Sequence, residues 1–221
     1  MQKQFVIVST VLFALAAFAA EGAKFKIDGI KTDWISPPLL KEIGGTSRGS
    51  FSDGIDATQL YVSNDAQYLY LFIGTSPSFG ARFKKNKSSG NFCVVYIDSD
   101  NNQSTGCSNV IGFRYGKING YEYKVNMPIG IYFNQDGTGT FATYSLTGVQ
   151  DDGKFSALEV IQEKSSHEDK DFIAHGKDGV ECKIPLASLG VKSGSTIKLL
   201  IAENIHIFKK EGYSKTEYTI K

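Results

Sequence analysis

The residues best equipped for chemistry in this 221-residue chain lie in one stretch, Val94-Val95-Tyr96-Ile97-Asp98-Ser99-Asp100-Asn101-Asn102-Gln103-Ser104-Thr105-Gly106-Cys107. Side-chain oxygens fall on alternate positions, at Asp98, Asp100 and Asn102. That donor set suits a hard cation such as Ca2+, which takes about 6–8 oxygen ligands from carboxylates, amides and backbone carbonyls. The same residue types also make plain turns, because Asp and Asn bond their own backbone and tolerate left-handed conformations. The stretch lacks the central Gly and closing Glu of a complete EF-hand loop, so spacing alone leaves both readings open. Asp98 and Asp100 are also a conceivable glycoside-hydrolase pair, whose carboxylates stand about 5–9.5 Å apart. Neighbours on one tight loop suit a cation better. No His-Glu-x-x-His, P-loop or Gly-x-Gly-x-x-Gly occurs, and the expected role is binding rather than catalysis.

The element that must position these oxygens is the run Val94 to Ile97. It is β-branched and aromatic, which predicts a half-buried strand ending at Asp98. Asp56–Asn64 and Gln67–Ile73 alternate like two strands around Asn64-Asp65-Ala66, a hairpin pattern. That alternation sends Leu69, Leu71 and Ile73 to one face and Tyr68, Tyr70 and Phe72 to the other. Further strands are predicted at Val110–Tyr115, Tyr121–Met127, Ile129–Phe133, Thr140–Leu146, Phe155–Gln162, Gly179–Ile184, Thr196–Ile201 and Glu217–Ile220. Phe25 to Ile27 reads as a short strand before an Asp28-Gly29 turn and Trp34, and Pro185 to Leu189 as a single helical turn. The Gly/Ser/Pro-rich stretch from Ser36 to Ser52 and the basic excursion from Phe79 to Asn91 read as irregular. Strands at short intervals with turn residues between them argue for an all-β fold, a two-sheet antiparallel sandwich with little helix.

The N-terminus reads as an export signal over residues 1–19: Lys3, an apolar run from Phe5 to Phe18, and the small-x-small site Ala17-Phe18-Ala19, with an alternative cut at residue 22. Residues 20–221 then form a single domain with no transmembrane span, and a secreted, periplasmic or cell-surface location follows. With 24 Lys+Arg against 23 Asp+Glu, the formal charge of +1 gives no argument for a nucleic-acid partner. Cys93, Cys107 and Cys182 are expected to give one disulfide and one odd thiol in an oxidising compartment; their pairing stays open.

Several landmarks occur in a familiar order: Ile27-Asp28-Gly29 with Asp33-Trp34; Leu60-Tyr61-Val62-Ser63-Asn64-Asp65 with Tyr68-Leu69-Tyr70-Leu71; Tyr96-Ile97-Asp98-Ser99-Asp100-Asn101 with Thr105-Gly106; Gly120-Tyr121-Glu122-Tyr123; and Ile184-Pro185-Leu186 with Leu189-Gly190. Together they resemble the family-nine carbohydrate-binding modules and the wider DOMON-like group of extracellular β-sandwich domains, over about residues 25 to 205. The resemblance implies a jelly-roll-like sandwich, often with Ca2+, and a sugar site built from aromatic rings. It also places Glu122 where the family often has Asp, so that Glu122 could close a cation shell around Asp98, Asp100 and Asn102.

A sugar site needs flat aromatic faces beside groups that bond hydroxyls. The family's paired Trp rings are not matched here, since Trp34 is the single Trp, and the resemblance implies a core or rim anchor at its position. Phe79, Phe83, Tyr115, Tyr121 and Tyr132 are the candidate substitutes, with Phe133 beside the last of them. Haem, which some branches bind, would need an axial pair such as Met127 with His167, His175 or His206, and Met127 reads better as core. The expectation is therefore an exported carbohydrate-binding module with a structural Ca2+ site. The rival is a structural or adhesive surface protein that keeps the fold without a sugar site.

Overall fold

The computed structural model describes residues 25–34, 41–42, 56–76, 92–108, 110–112, 116–128, 143–165, 171–203 and 214–221. The expected signal segment, most of the Ser36–Ser52 stretch, the basic excursion and the expected strand at Ile129–Phe133 lie outside the described residues. The strands are β1 (Lys41–Glu42), β2 (Asp56–Asn64), β3 (Tyr68–Ser76), β4 (Phe92–Asp98), β5 (Val110–Gly112), β6 (Gly116–Ile118) and β7 (Tyr123–Pro128), followed by β8 (Thr143–Val149), β9 (Phe155–Ser165), β10 (Ile173–His175), β11 (Gly179–Pro185), β12 (Thr196–Glu203) and β13 (Ser214–Thr219). Two 3-10 turns, Lys31–Trp34 and Leu186–Leu189, are the helical pieces among the described residues. No helix there is long and apolar enough to cross a membrane.

One sheet runs β1-β2-β3-β11-β10 and the other β13-β12-β4-β7-β8-β9, while β5 and β6 form a separate ribbon. All of the pairings are antiparallel. The β2–β3 hairpin turns where the sequence places it. The Asp65 carboxylate accepts the Gln67 and Tyr68 N–H groups at 2.7 Å each, which closes the turn with a side chain. Alternation then divides the strands as expected. Leu69, Leu71 and Ile73 join Val95, Ile97, Val125, Met127, Leu199 and Ile201 in the core between the sheets.

Neither outer face is simply solvated. On the five-stranded sheet, Tyr61, Tyr70 and Phe72 are roofed by Phe25 and Trp34. On the six-stranded sheet, Tyr96 and Leu200 are covered by Cys107, Ile118 and Tyr121. Trp34 is fully buried, 4.4 Å from the Phe25 ring and 5.8 Å from Phe72 between centroids, which makes it an anchor of the core.

Phe25 to Ile27 is not the strand that its sequence suggests. The segment crosses the sheet face rather than its edge, so no ladder is offered, and carboxylates take its donors instead. Lys26 N–H donates to Asp33, Ile30 N–H to Asp28, and Lys31 N–H to Asp178. Asp28 and Gly29 N–H both donate to Glu181 Oε2 at 3.2 Å, and Trp34 Nε1 donates to Oε1 at 2.9 Å. The backbone reaches these donors through Gly29 at φ +67°.

The expected disulfide is also absent. Cys107 and Cys182 are free, buried thiols. They occupy different clusters: Cys182 packs 3.7 Å from Met127 sulfur between the sheets, and Cys107 donates to Ile118 O beneath the outer ribbon.

Burial pushes the Glu181 carboxyl up to about 7, against the pull of its three N–H donors. Its folded value thus exceeds the ordinary 4.5, and the folded state holds the proton more tightly than the unfolded one. This contribution to stability is full below pH 4.5 and is lost as pH rises through about 7. The loss amounts to about 3 kcal/mol. Glu181→Gln, neutral at every pH, should remove that share of the slope. Urea unfolding at several pH values between 4.5 and 8 measures it, and an unchanged slope in the variant would refute the assignment.

Candidate metal centre

The centre is built by register. β4 and β7 pair with Ile97 opposite Tyr123, so the next residues, Asp98 and Glu122, stand side by side where the two strands end. On its other side β4 pairs with β12, which puts Lys198 opposite Asp98. Val95 and Ile97 point inward, so Val94, Tyr96 and Asp98 point outward. Glu122 is fixed by its own backbone: its N–H donates to Ile97 O at 3.1 Å and its carbonyl accepts Val149 N–H at 2.9 Å.

The loop after β4 folds back over this point. Asn102 N–H donates to Asp98 Oδ1 (3.2 Å) and to Asp100 Oδ1 (2.9 Å), while Asn102 Oδ1 accepts Ser104 N–H at 3.0 Å. Asn101 adopts the left-handed conformation at φ +57° and Gly106 at +71°. Backbone bonds from Cys107 N to Tyr121 O and from Gly120 N to Cys107 O, both 2.9 Å, lock the loop onto the segment that carries Glu122. The two sequence readings therefore coincide, since the loop is a closely bonded turn and it also gathers carboxylates.

Asp98, Asp100 and Glu122 each present an oxygen within 4.8 Å of the others, a group that could hold a metal ion. Asp98 is buried, Glu122 half-buried and Asp100 exposed. Thr105 Oγ1 stands between Asp100 and Glu122, 3.1 and 2.9 Å from the Asp100 oxygens, 3.0 Å from Glu122 Oε1 and 2.7 Å from Asn102 O. A hydroxyl donates one proton, so most of these contacts bring oxygen to oxygen without a proton between them. Lys198 supplies a positive charge at 4.0 Å from Asp98 Oδ2. Glu122 Oε2 accepts Ser99 N–H at 2.7 Å.

Burial raises the Asp98 carboxyl, and the Asn101 and Asn102 N–H groups with Lys198 only partly offset it. Burial likewise raises Glu122; Ser99 N–H and the Thr105 hydroxyl pull it down, while Asp100 and Asp98 push it further up. A cation here would offset the mutual repulsion of the three carboxylates, which is one of the causes of the Glu122 shift. Asn102 belongs to the loop, but its Oδ1 is engaged by Ser104 N–H.

Of the aromatic candidates, Phe79, Phe83, Tyr115 and Tyr132 lie outside the described residues. Tyr121 is 5 % exposed and meets Tyr96 edge-on at 6.0 Å between centroids. Met127 is fully buried between the sheets; His167 and His206 are outside the described residues, as is the side chain of His175. Sequence reasoning missed Thr105 and Lys198. Thr105 stands in the quoted stretch and a hydroxyl among carboxylates could have marked it, whereas only strand pairing brings Lys198 in. One further spacing, Gly45-Thr46-Ser47-Arg48-Gly49, has the letters of a Gly-x-Ser-x-Gly elbow. It lies outside the described residues, and an elbow needs a strand-to-helix turn. No family model matches the chain, and neither a curated protein nor a solved structure does.

Gly106 is the tightest joint of the centre. A Cβ there would fall 2.6 Å from Tyr121 C and 2.7 Å from Glu122 Oε1, at a φ that side chains disfavour. Gly194, at φ +86° with open space around it, isolates the backbone term. Gly194→Ala should therefore cost about 1–3 kcal/mol from backbone strain alone, and Gly106→Ala clearly more. Denaturant unfolding of both variants checks this, and equal costs would show that the close approach is immaterial.

Proposed function

We propose that this protein is an exported, non-catalytic β-sandwich module that binds carbohydrate and is stiffened by Ca2+ at Asp98, Asp100 and Glu122. The observation that carries the reading is the convergence of these three carboxylates at the end of the central strand pair. An oxygen-only donor set favours a hard cation. A ceiling of 4.8 Å between ligand atoms accommodates opposite oxygens of an ion with bonds of about 2.4 Å, the calcium range. The N-terminal Lys3, apolar run and Ala17-Phe18-Ala19 site support export. Carbohydrate as the ligand rests on the ordered landmarks that resemble the family-nine and DOMON-like modules, and fold alone does not fix a ligand.

One observation favours a second reading, a structural or adhesive surface protein that keeps the sandwich without a sugar site. The Tyr121 ring is turned into a packed cluster and offers little face for stacking.

Thermal unfolding with Ca2+ and with a chelator tests the ion. At a hundredfold excess over Kd, calcium should stabilise the folded protein by about 2.7 kcal/mol. Asp98→Ala and Asp100→Asn should both abolish that rise; the exposed Asp100 makes the second variant safe for folding. No calcium response in the unaltered protein would sink the cation site. A calcium response without retention on any polysaccharide would favour the adhesive reading.

A further inference from the structure

A cavity of about 400 Å³ opens on the outer face of the six-stranded sheet, with Asp98 as the wall that it shares with the carboxylate cluster. Its volume lies within the range of small-molecule sites, about 300–1,000 Å³. The register lays its floor. Asp98 of β4 is opposite Lys198 of β12, and Lys198 is opposite Glu217 of β13, so charge alternates across three neighbouring strands. Lys215, two residues before Glu217, returns to the same face opposite Leu200, which packs with Tyr96 in the outer cluster. The facing wall comes from Gln103 and Asn119, brought together where Gly120 at φ +76° presses on the loop; a Cβ there would meet Gln103 Cα at 2.7 Å.

The lining thus holds two ammoniums, two carboxylates and two amides, with formal charges that cancel, beside Thr216 and the edge of Tyr121, which is only 5 % exposed. An apolar ligand would displace water from these polar groups and return no hydrogen bond, which disfavours it. An anionic ligand would face Asp98 and Glu217, and a cationic one Lys198 and Lys215. A neutral ligand rich in hydroxyls fits, because each hydroxyl both donates and accepts and can bridge neighbouring groups of opposite kind. We propose that this cavity takes a neutral sugar residue, held by hydrogen bonds to Lys215, Glu217, Asn119 and Gln103 rather than by stacking on aromatic rings. The inference rests on the carbohydrate reading and gives it a place.

The test is calorimetric titration of the full mature protein in calcium with neutral cello-, xylo- and manno-oligosaccharides and with acidic oligogalacturonate. Asn119→Ala, Lys215→Met and Glu217→Gln change exposed residues, and Lys192→Ala, exposed on another edge, is the control. A neutral oligosaccharide should bind, each cavity variant should weaken it by about tenfold or more, and Lys192→Ala should not. Melting midpoints and calcium responses should stay unchanged. A neutral oligosaccharide held equally well by all three cavity variants would overturn this inference while leaving the carbohydrate reading standing. Binding of oligogalacturonate alone would overturn the neutral assignment. Binding of none of the four would remove the carbohydrate reading and this inference with it.

Discussion

Everything at the candidate site depends on the pairing register of β4 with β7 on one side and β12 on the other. Side chains alternate with a period of two, so a slip of one residue would send Asp98 into the space between the sheets and Ile97 out of it. The inter-sheet core resists such a slip, because Val95 and Ile97 are fully buried against residues of both sheets. The hydrophobic effect therefore places the carboxylates indirectly. Apolar burial fixes the strands, and the strands deliver Asp98, Glu122 and Lys198 to one row.

The two outer faces solve the same problem in different ways. Each buries a carboxylate, and a buried charge is costly unless it is bonded or neutralised. Glu181 is met by three N–H donors from the segment that roofs its sheet, so it fastens the N-terminal segment to the sandwich. Asp98 is met by loop N–H groups and by Lys198, but it also stands beside two further carboxylates. In the first arrangement every group bonded to the carboxylate is a donor, although burial still raises its pKa. The second carries surplus negative charge, and that contrast is the physical basis for reading it as a binding centre rather than a strut.

The fold was largely legible because the strands near the site alternate cleanly. The β2–β3 hairpin, the division of Leu69, Leu71 and Ile73 from Tyr70 and Phe72, and the strand ending at Asp98 all follow from period-two patterns and turn chemistry. Errors arose where tertiary partners overrule local pattern. Phe25 to Ile27 looks like a strand, yet Glu181, more than 150 positions away, takes the hydrogen bonds of the residues that follow it. The cysteines looked like a disulfide by number and compartment, yet the sandwich sends Cys182 to the inner face and Cys107 to the outer layer. Lys198 was illegible for the same reason, since nothing near Asp98 in sequence reveals which strand will lie beside it.

That lysine also bears on how a cation and a ligand would act together. Asp98 belongs to the carboxylate cluster and to the cavity wall at once, and its Oδ2 lies 4.0 Å from Lys198 Nζ. On the proposed reading, an ion that engages Asp98 competes with Lys198 for its negative charge. The ammonium would then be released toward the cavity, where a hydroxyl oxygen can accept from it. Coupling of this kind is reciprocal, so a sugar that engages Lys198 would favour the ion by the same factor. A carboxylate shared between two sites suffices for that linkage, and the rigid strand pairing that fixes Asp98 confines the coupling to the side chains that meet there.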